Sequence, residues 1–109
     1  MTPYEAFSSI DIRIGQVTNV ELNEKAKKPA YKVWIDFGEL GIKTTSAQFT
    51  QLYTAEALIG EYVVCVVNLG TRNIAGFASE VLMLGAQTAP GEVVFLKPER
   101  ALTPGQPVF

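Results

Sequence analysis

A run of strict alternation narrows the fold more than any other feature of this chain. Tyr31, Val33, Ile35 and Phe37 are separated by Lys32, Trp34 and Asp36, the period-two pattern of a strand with one face on a core. Upstream, Ile10, Ile12 and Ile14 alternate with Asp11 and Arg13 in the same way. After Gly15 the apolar parity flips to Val17, and it flips again to Val20 and Leu22. A glycine at a parity flip predicts a bulge, which bends a long strand. A long bent strand followed by a cleanly one-faced one belongs to a curved sheet, not to a helical bundle.

The remaining segments extend that sheet. Gly38-Glu39-Leu40-Gly41 reads as a tight connection into a third strand, Ile42 to Ala47. Phe49 to Ile59 is a helical window with Phe49, Leu52, Tyr53 and Leu58 apolar, Gly60 placed to end it and a break expected at Thr54. Tyr62 to Leu69 reads as a fourth strand, buried on both faces. A loop from Gly70 to Gly76 leads to a fifth strand, Phe77 to Gly85, and Val93 to Leu96 forms a short sixth. At the start, Thr2 can cap a helix, with Pro3 at its first position and Glu5 at its third, so residues 1–9 are expected to hold a short N-terminal helix. Residues 98–109 form a C-terminal extension with three prolines.

Three strands, a helix and two strands in one domain, 1–109, is the order of an all-β, five-stranded Greek-key OB-fold barrel with a helix between strands three and four. An SH3-like barrel or a small sandwich explains that helix less well.

Composition removes most chemistry. The chain has no histidine and one cysteine, which excludes Ser-His-Asp and Cys-His catalysis, the usual zinc patterns and an internal disulfide. Cys65 lies within Val63-Val64-Cys65-Val66-Val67 and reads as a small buried hydrophobe. Gly38, Gly41, Gly70 and Gly76 form no phosphate-cradling motif, so neither a metal nor a cofactor is expected. The longest apolar run, Tyr62 to Val67, is strand-sized, and the N-terminus has no signal-peptide pattern. A cytoplasmic, non-enzymatic protein without membrane insertion is the expectation.

Charge then points to a face. The net charge is −2, yet residues 25–55 carry five lysines against Asp36 and Glu39. In an OB barrel the ligand face comprises strands two and three with the loops joining strands one to two and four to five. Lys25, Lys27 and Lys28 fall in the first of those loops, Lys32 and Lys43 on the two strands, and Arg72 in the second loop. Six of the nine basic residues thus border one face, an electrostatic footprint for a polyanion. Trp34, beside Lys32, either stacks a base there or covers the side of the barrel. Ser46, Gln48, Asn68 and Ser79 either bond sugar and base edges or cap strand backbone. Glu80 is an odd acid within an apolar strand, expected to pair with Arg72 or Arg13 or to face a phosphate. Tyr4 and Phe7 share a face of a helix too short to stand alone, so they need the core or a second subunit to pack on.

Several segments occur together in a familiar order: Asp11-Ile12-Arg13-Ile14-Gly15, Ile35-Asp36-Phe37-Gly38, Ser46-Ala47-Gln48, Val66-Val67-Asn68-Leu69, Arg72-Asn73-Ile74-Ala75-Gly76-Phe77 and Ser79-Glu80-Val81-Leu82-Met83-Leu84-Gly85. Together they resemble the CsaA family of export-related chaperones, part of the wider tRNA-binding-domain group. The resemblance implies a non-catalytic OB-fold homodimer that binds unfolded precursor polypeptides, with tRNA as the alternative ligand. By motif match it carries RNA contacts onto Asn68, Arg72 and Ser79, with Lys32, Lys43 and Gln48 added from the same face. It places Tyr4, Phe7, Val108 and Phe109 at the subunit interface. Thr71 stands where the tRNA-binding members usually have proline, and Glu80 places an acid in the face, so weaker tRNA binding is expected.

Overall fold

In the computed structural model, which describes residues 1–109, one strand organises the rest. Strand β1 (Ile12–Leu22) pairs antiparallel with β4 (Tyr62–Val66) through Ile12 to Gln16, and with β2 (Tyr31–Asp36) through Gln16 to Leu22. It passes from one neighbour to the other at Gln16. With β3 (Ile42–Ala47) and β7 (Leu82–Met83) the sheet runs β3-β2-β1-β4-β7. Two hairpins stand on it: β5 (Arg72–Ile74) with β6 (Phe77–Ser79), and β8 (Gly85–Ala89) with β9 (Glu92–Phe95).

The bulge in β1 lies between Val17 and Asn19, not at Gly15. Gly15 serves a different need: a Cβ there would run into the side chains of Ile35 and Phe37. Its bare backbone lets β1 close over the core. That core is built from the alternating set the sequence announces, with Val33, Ile35 and Phe37 fully buried beside Val17, Leu58, Val63 and Cys65.

Between β3 and β4 the helix is a single turn, α2 (Ala55–Leu58), shorter than the expected window. The Ala57 N–H donates to Thr54 Oγ1 at 3.2 Å, so Thr54 caps a new helix rather than continuing one. Phe49 and Tyr53 instead pack with Phe95 as an aromatic cluster, ring centroids 6.3 and 4.9 Å from it. At the N-terminus, α1 (Pro3–Ser8) carries the predicted capping box between Thr2 and Glu5 and buries none of its residues. No helix is long and apolar enough to cross a membrane.

The expected fifth strand, Phe77 to Gly85, is broken into β6, β7 and the start of β8. Glu80 is the cause. Its N–H donates to the Thr44 carbonyl at 2.7 Å, and its carboxylate accepts from the Thr44 N–H at 3.0 Å and the Thr44 hydroxyl at 2.8 Å. The Thr45 hydroxyl donates to the Val81 carbonyl at 2.8 Å. These bonds close the barrel across the free edge of β3. Glu80 therefore pairs with neither arginine. Arg13 is held by Asp11, 2.7 Å away, and by the Gly105 carbonyl at 3.0 Å. The expected loop at 70–76 contains β5, and the fourth strand ends at Val66 rather than Leu69.

The C-terminal extension fills the edge of β1 that β2 leaves open. Gly105 and Val108 donate to the carbonyls of Ile14 and Ile12 at 2.7 and 2.8 Å, and Ile14 donates to the Gln106 carbonyl at 2.9 Å.

Candidate functional site

The β5–β6 hairpin shapes the site. Its turn places Ala75 at φ 49° and Gly76 at φ 81°, the left-handed pair of a tight hairpin turn. Asn73 Oδ1 accepts from the Gly76 N–H at 2.9 Å. The returning strand lays Phe77 on the outer face of β2, edge-on to Trp34 with centroids 5.4 Å apart. Lys32 Nζ sits 5.6 Å from the Phe77 ring centroid. Trp34 therefore covers the side of the barrel under Phe77. Opposite Ser79 in this hairpin, Arg72 is exposed.

Two grooves flank the hairpin. The first, about 300 Å³, has an apolar floor of Leu69, Ile74, Val81 and Leu82, with Arg72 and Gln48 among its polar lining. The second, about 560 Å³, is lined by Lys25, Lys27 and Lys28 with Ala30 and Ala75, and it shares Ser46, Gln48 and Ile74 with the first. The ion pairs of the molecule are Arg13–Asp11, Lys97–Glu61 and Arg100–Glu99. Lys25, Lys27, Lys28, Lys32 and Arg72 thus have no carboxylate partner, and their charge is available to a ligand.

The lysine loop is ordered by Asn23, a buried residue that sequence reasoning missed. Its N–H donates to the Ala30 carbonyl at 2.9 Å, closing the loop. Its side-chain oxygen accepts from the Lys25 N–H at 3.1 Å and its carbonyl from the Ala26 N–H at 3.3 Å. An asparagine bonding backbone two residues on is a loop signal in sequence; its burial is not.

Residues 12–107 match the family described as "Putative tRNA binding domain". The chain belongs to the tRNA-binding domain family. It is a CsaA-like member with an OB fold. The crystal structure of the chaperone CsaA from Bacillus anthracis is 44% identical, with a TM-score of 0.91 over 100% of this chain and 99% of that one. The CsaA chaperone protein of Picrophilus torridus is 43% identical, with a TM-score of 0.92 and full coverage of both chains at 100%. Among curated sequences, the methionine–tRNA ligase of Methanosarcina acetivorans is 36% identical over 102 residues, covering 94% of this chain. This chain spans 14% of that ligase's length.

Within this tRNA-binding domain the sequence-predicted residues separate. Arg72, Ser79 and Gln48 line the first groove. Lys32 lies on the outer face of β2, across from Ser46. Lys43 shares its parity with the buried Thr45 and Ala47, pairs with Ile35 and lines neither groove. The Asn68 carboxamide is occupied: it accepts from the Asp11 N–H at 2.8 Å and donates to the Ser9 carbonyl at 2.9 Å, fastening the N-terminal segment to the end of β4. Ser79 Oγ accepts from the Ser46 N–H at 3.1 Å. Arg72 alone of the three motif positions keeps its polar group free.

Tyr4, Phe7 and Phe109 are exposed and Val108 is half-buried beside Ile12. Burial pushes the Cys65 thiol up to about 12, which keeps it protonated and unreactive.

Proposed function

We propose that this CsaA-like domain is a non-catalytic, homodimeric binder of unfolded precursor polypeptides in the cytoplasm. The observation that carries this reading is the first groove, which Leu69, Ile74, Val81 and Leu82 line together with Arg72. An apolar floor with a cationic rim suits an extended chain that offers an apolar side chain beside an acidic one. Two structural relatives of full length are named as chaperones. The exposed Tyr4, Phe7 and Phe109 support the dimer, since aromatic surface of this kind is the usual material of subunit contacts. Titration of a labelled, reduced and unfolded precursor tests the groove. Leu82→Asp, at a half-exposed position, is expected to weaken binding about tenfold, in line with loss of a central apolar contact; unchanged affinity removes the groove from the reading. Deletion of residues 1–9 is expected to shift the light-scattering mass toward monomer, and an unchanged dimer takes the helix out of the interface.

A second reading is favoured by the three unpaired lysines that line the second groove, Lys25, Lys27 and Lys28, and by the family description, namely that the domain binds tRNA. Binding through phosphates falls steeply between about 50 and about 200 mM salt. Arg72→Ala is expected to reduce the log–log salt slope for tRNA by about one unit. A wild-type slope in that variant rules Arg72 out as a phosphate contact.

A further inference from the structure

A third groove continues from the lysine groove beyond the face formed by β2 and β3. It measures about 330 Å³ and lies between the β1–β2 loop, the segment after β3 and the β8–β9 hairpin. Lys28 and Gln48 line both it and the lysine groove, so the two are continuous. Beyond that junction stand Thr50, Gln51 and Gln87. Three carboxamides, Gln48 and Gln51 from the segment after β3 and Gln87 from β8, thus converge on one cleft that no carboxylate lines. None of the three is used inside the protein: the one glutamine whose side chain makes an internal hydrogen bond is Gln16.

The placing of these amides follows from local backbone. Gly91, at φ 82° in the β8–β9 turn, leaves space that a Cβ would deny to the Gln51 amide. A register shift between Gln87 and Ala89 bulges β8 beside the cleft, the kind of irregularity that re-aims a side chain.

A carboxamide offers a donor and an acceptor side by side, the complement of a nucleobase edge, and unpaired bases are what proteins read on RNA. Lys28, which lines both this cleft and the lysine groove, brings a positive charge that suits a phosphate at their junction. Apolar side chains find little here beyond Val93, in contrast to the first groove. The size sits at the lower end of small-ligand sites, fit for a single nucleotide and too small for a duplex. We propose that this cleft is a subsite for one unpaired nucleotide of an RNA whose backbone follows the lysine groove, with Gln48, Gln51 and Gln87 bonding the base edge and Lys28 its phosphate. The proposal rests on the RNA reading of the lysine groove.

The test compares a single-stranded RNA of about six nucleotides, within the span an OB fold covers, with the same sugar–phosphate chain lacking its bases. Fluorescence anisotropy is read for the wild type, for the Gln51→Ala/Gln87→Ala double variant and for Lys28→Ala. Gln51 and Gln87 are exposed, so the double variant is expected to fold, and circular dichroism checks it. The wild type is expected to prefer the base-bearing chain by about fivefold or more, the discrimination typical of a good base contact. The double variant loses that preference while its affinity for the abasic chain is unchanged, and Lys28→Ala weakens both. A wild type that binds both chains equally, or a double variant that still prefers the base, overturns the base subsite and leaves the RNA groove standing. If neither chain binds the wild type, the RNA reading itself fails and takes the subsite with it. If the double variant instead weakens only an unfolded polypeptide, the cleft belongs to that ligand and the proposal is wrong.

Discussion

Gly38 and Gly105 meet back to back: a Cβ on Gly38 would strike the Pro104 carbonyl oxygen, and one on Gly105 would strike the Phe37 carbonyl oxygen. Both take left-handed backbone, at φ 64° and 95°. This contact seats the tail on the turn after β2, and from there Gly105, Gln106 and Val108 bond to the edge of β1. Gly60 also has a positive φ, 89°, but nothing lies where its Cβ would go.

Comparing the two positions separates backbone strain from collision. Gly60→Ala is expected to cost about 1 kcal/mol, the usual penalty for a side chain in left-handed backbone. Gly105→Ala is expected to cost about 2–4 kcal/mol, because the methyl group must also displace a backbone carbonyl. Urea midpoints at constant slope read the difference. Equal midpoints would show that the tail does not press against the turn.

Ala75 is the one non-glycine residue with positive φ, at 49°. Ala75→Gly relieves about 1–2 kcal/mol of strain, offset in part by the added freedom of glycine in the unfolded chain. A net gain of about 0.5–1 kcal/mol in urea unfolding is expected, by the same balance. A loss of stability would mean that the turn tolerates its methyl without strain.

Asn68 has a structural assignment that its motif does not reveal. Asn68→Ala removes bonds to Asp11 and Ser9 and is expected to cost roughly 1–2 kcal/mol, the net value of two such bonds at an exposed site. The tRNA salt slope should not move. A lower slope with unchanged stability would return Asn68 to the RNA contacts.

What the sequence made legible was what local pattern determines. The β2 alternation announced the core because each inward residue lands on it, and the α1 cap was legible because Thr2 and Glu5 are three residues apart. Glu80 was not legible, since its partner Thr44 is 36 residues away and only barrel closure joins them. Nor was β8, whose Gly-Ala-Gln-Thr-Ala run offers no apolar alternation. The inward parity of Lys43 is hidden in the sequence because β3 has weak contrast between its two faces: Ile42 is exposed and Thr45 is buried. The lysine loop and Arg72 were legible as charge, but the amide cleft was not. Gln48, Gln51 and Gln87 meet only after the β8–β9 hairpin folds back.

Cys65 gives a pH dependence with a definite sign. It is fully buried, and burial raises its thiol from the ordinary 9.0 to about 12. Between those values the unfolded chain releases the thiol proton and the folded chain keeps it. The folded state then binds more protons than the unfolded state, so stability falls as pH rises. Its contribution is fully present below pH 9 and is lost toward pH 12, at up to about 1.4 kcal/mol per pH unit. Cys65→Ala lowers stability at neutral pH by leaving a small cavity, yet it removes this alkaline slope. Urea unfolding of both proteins at pH 8, 9 and 10 is therefore expected to show the gap between them narrowing. A gap that stays constant across that range would show that the thiol ionises as readily in the folded protein as in the unfolded one.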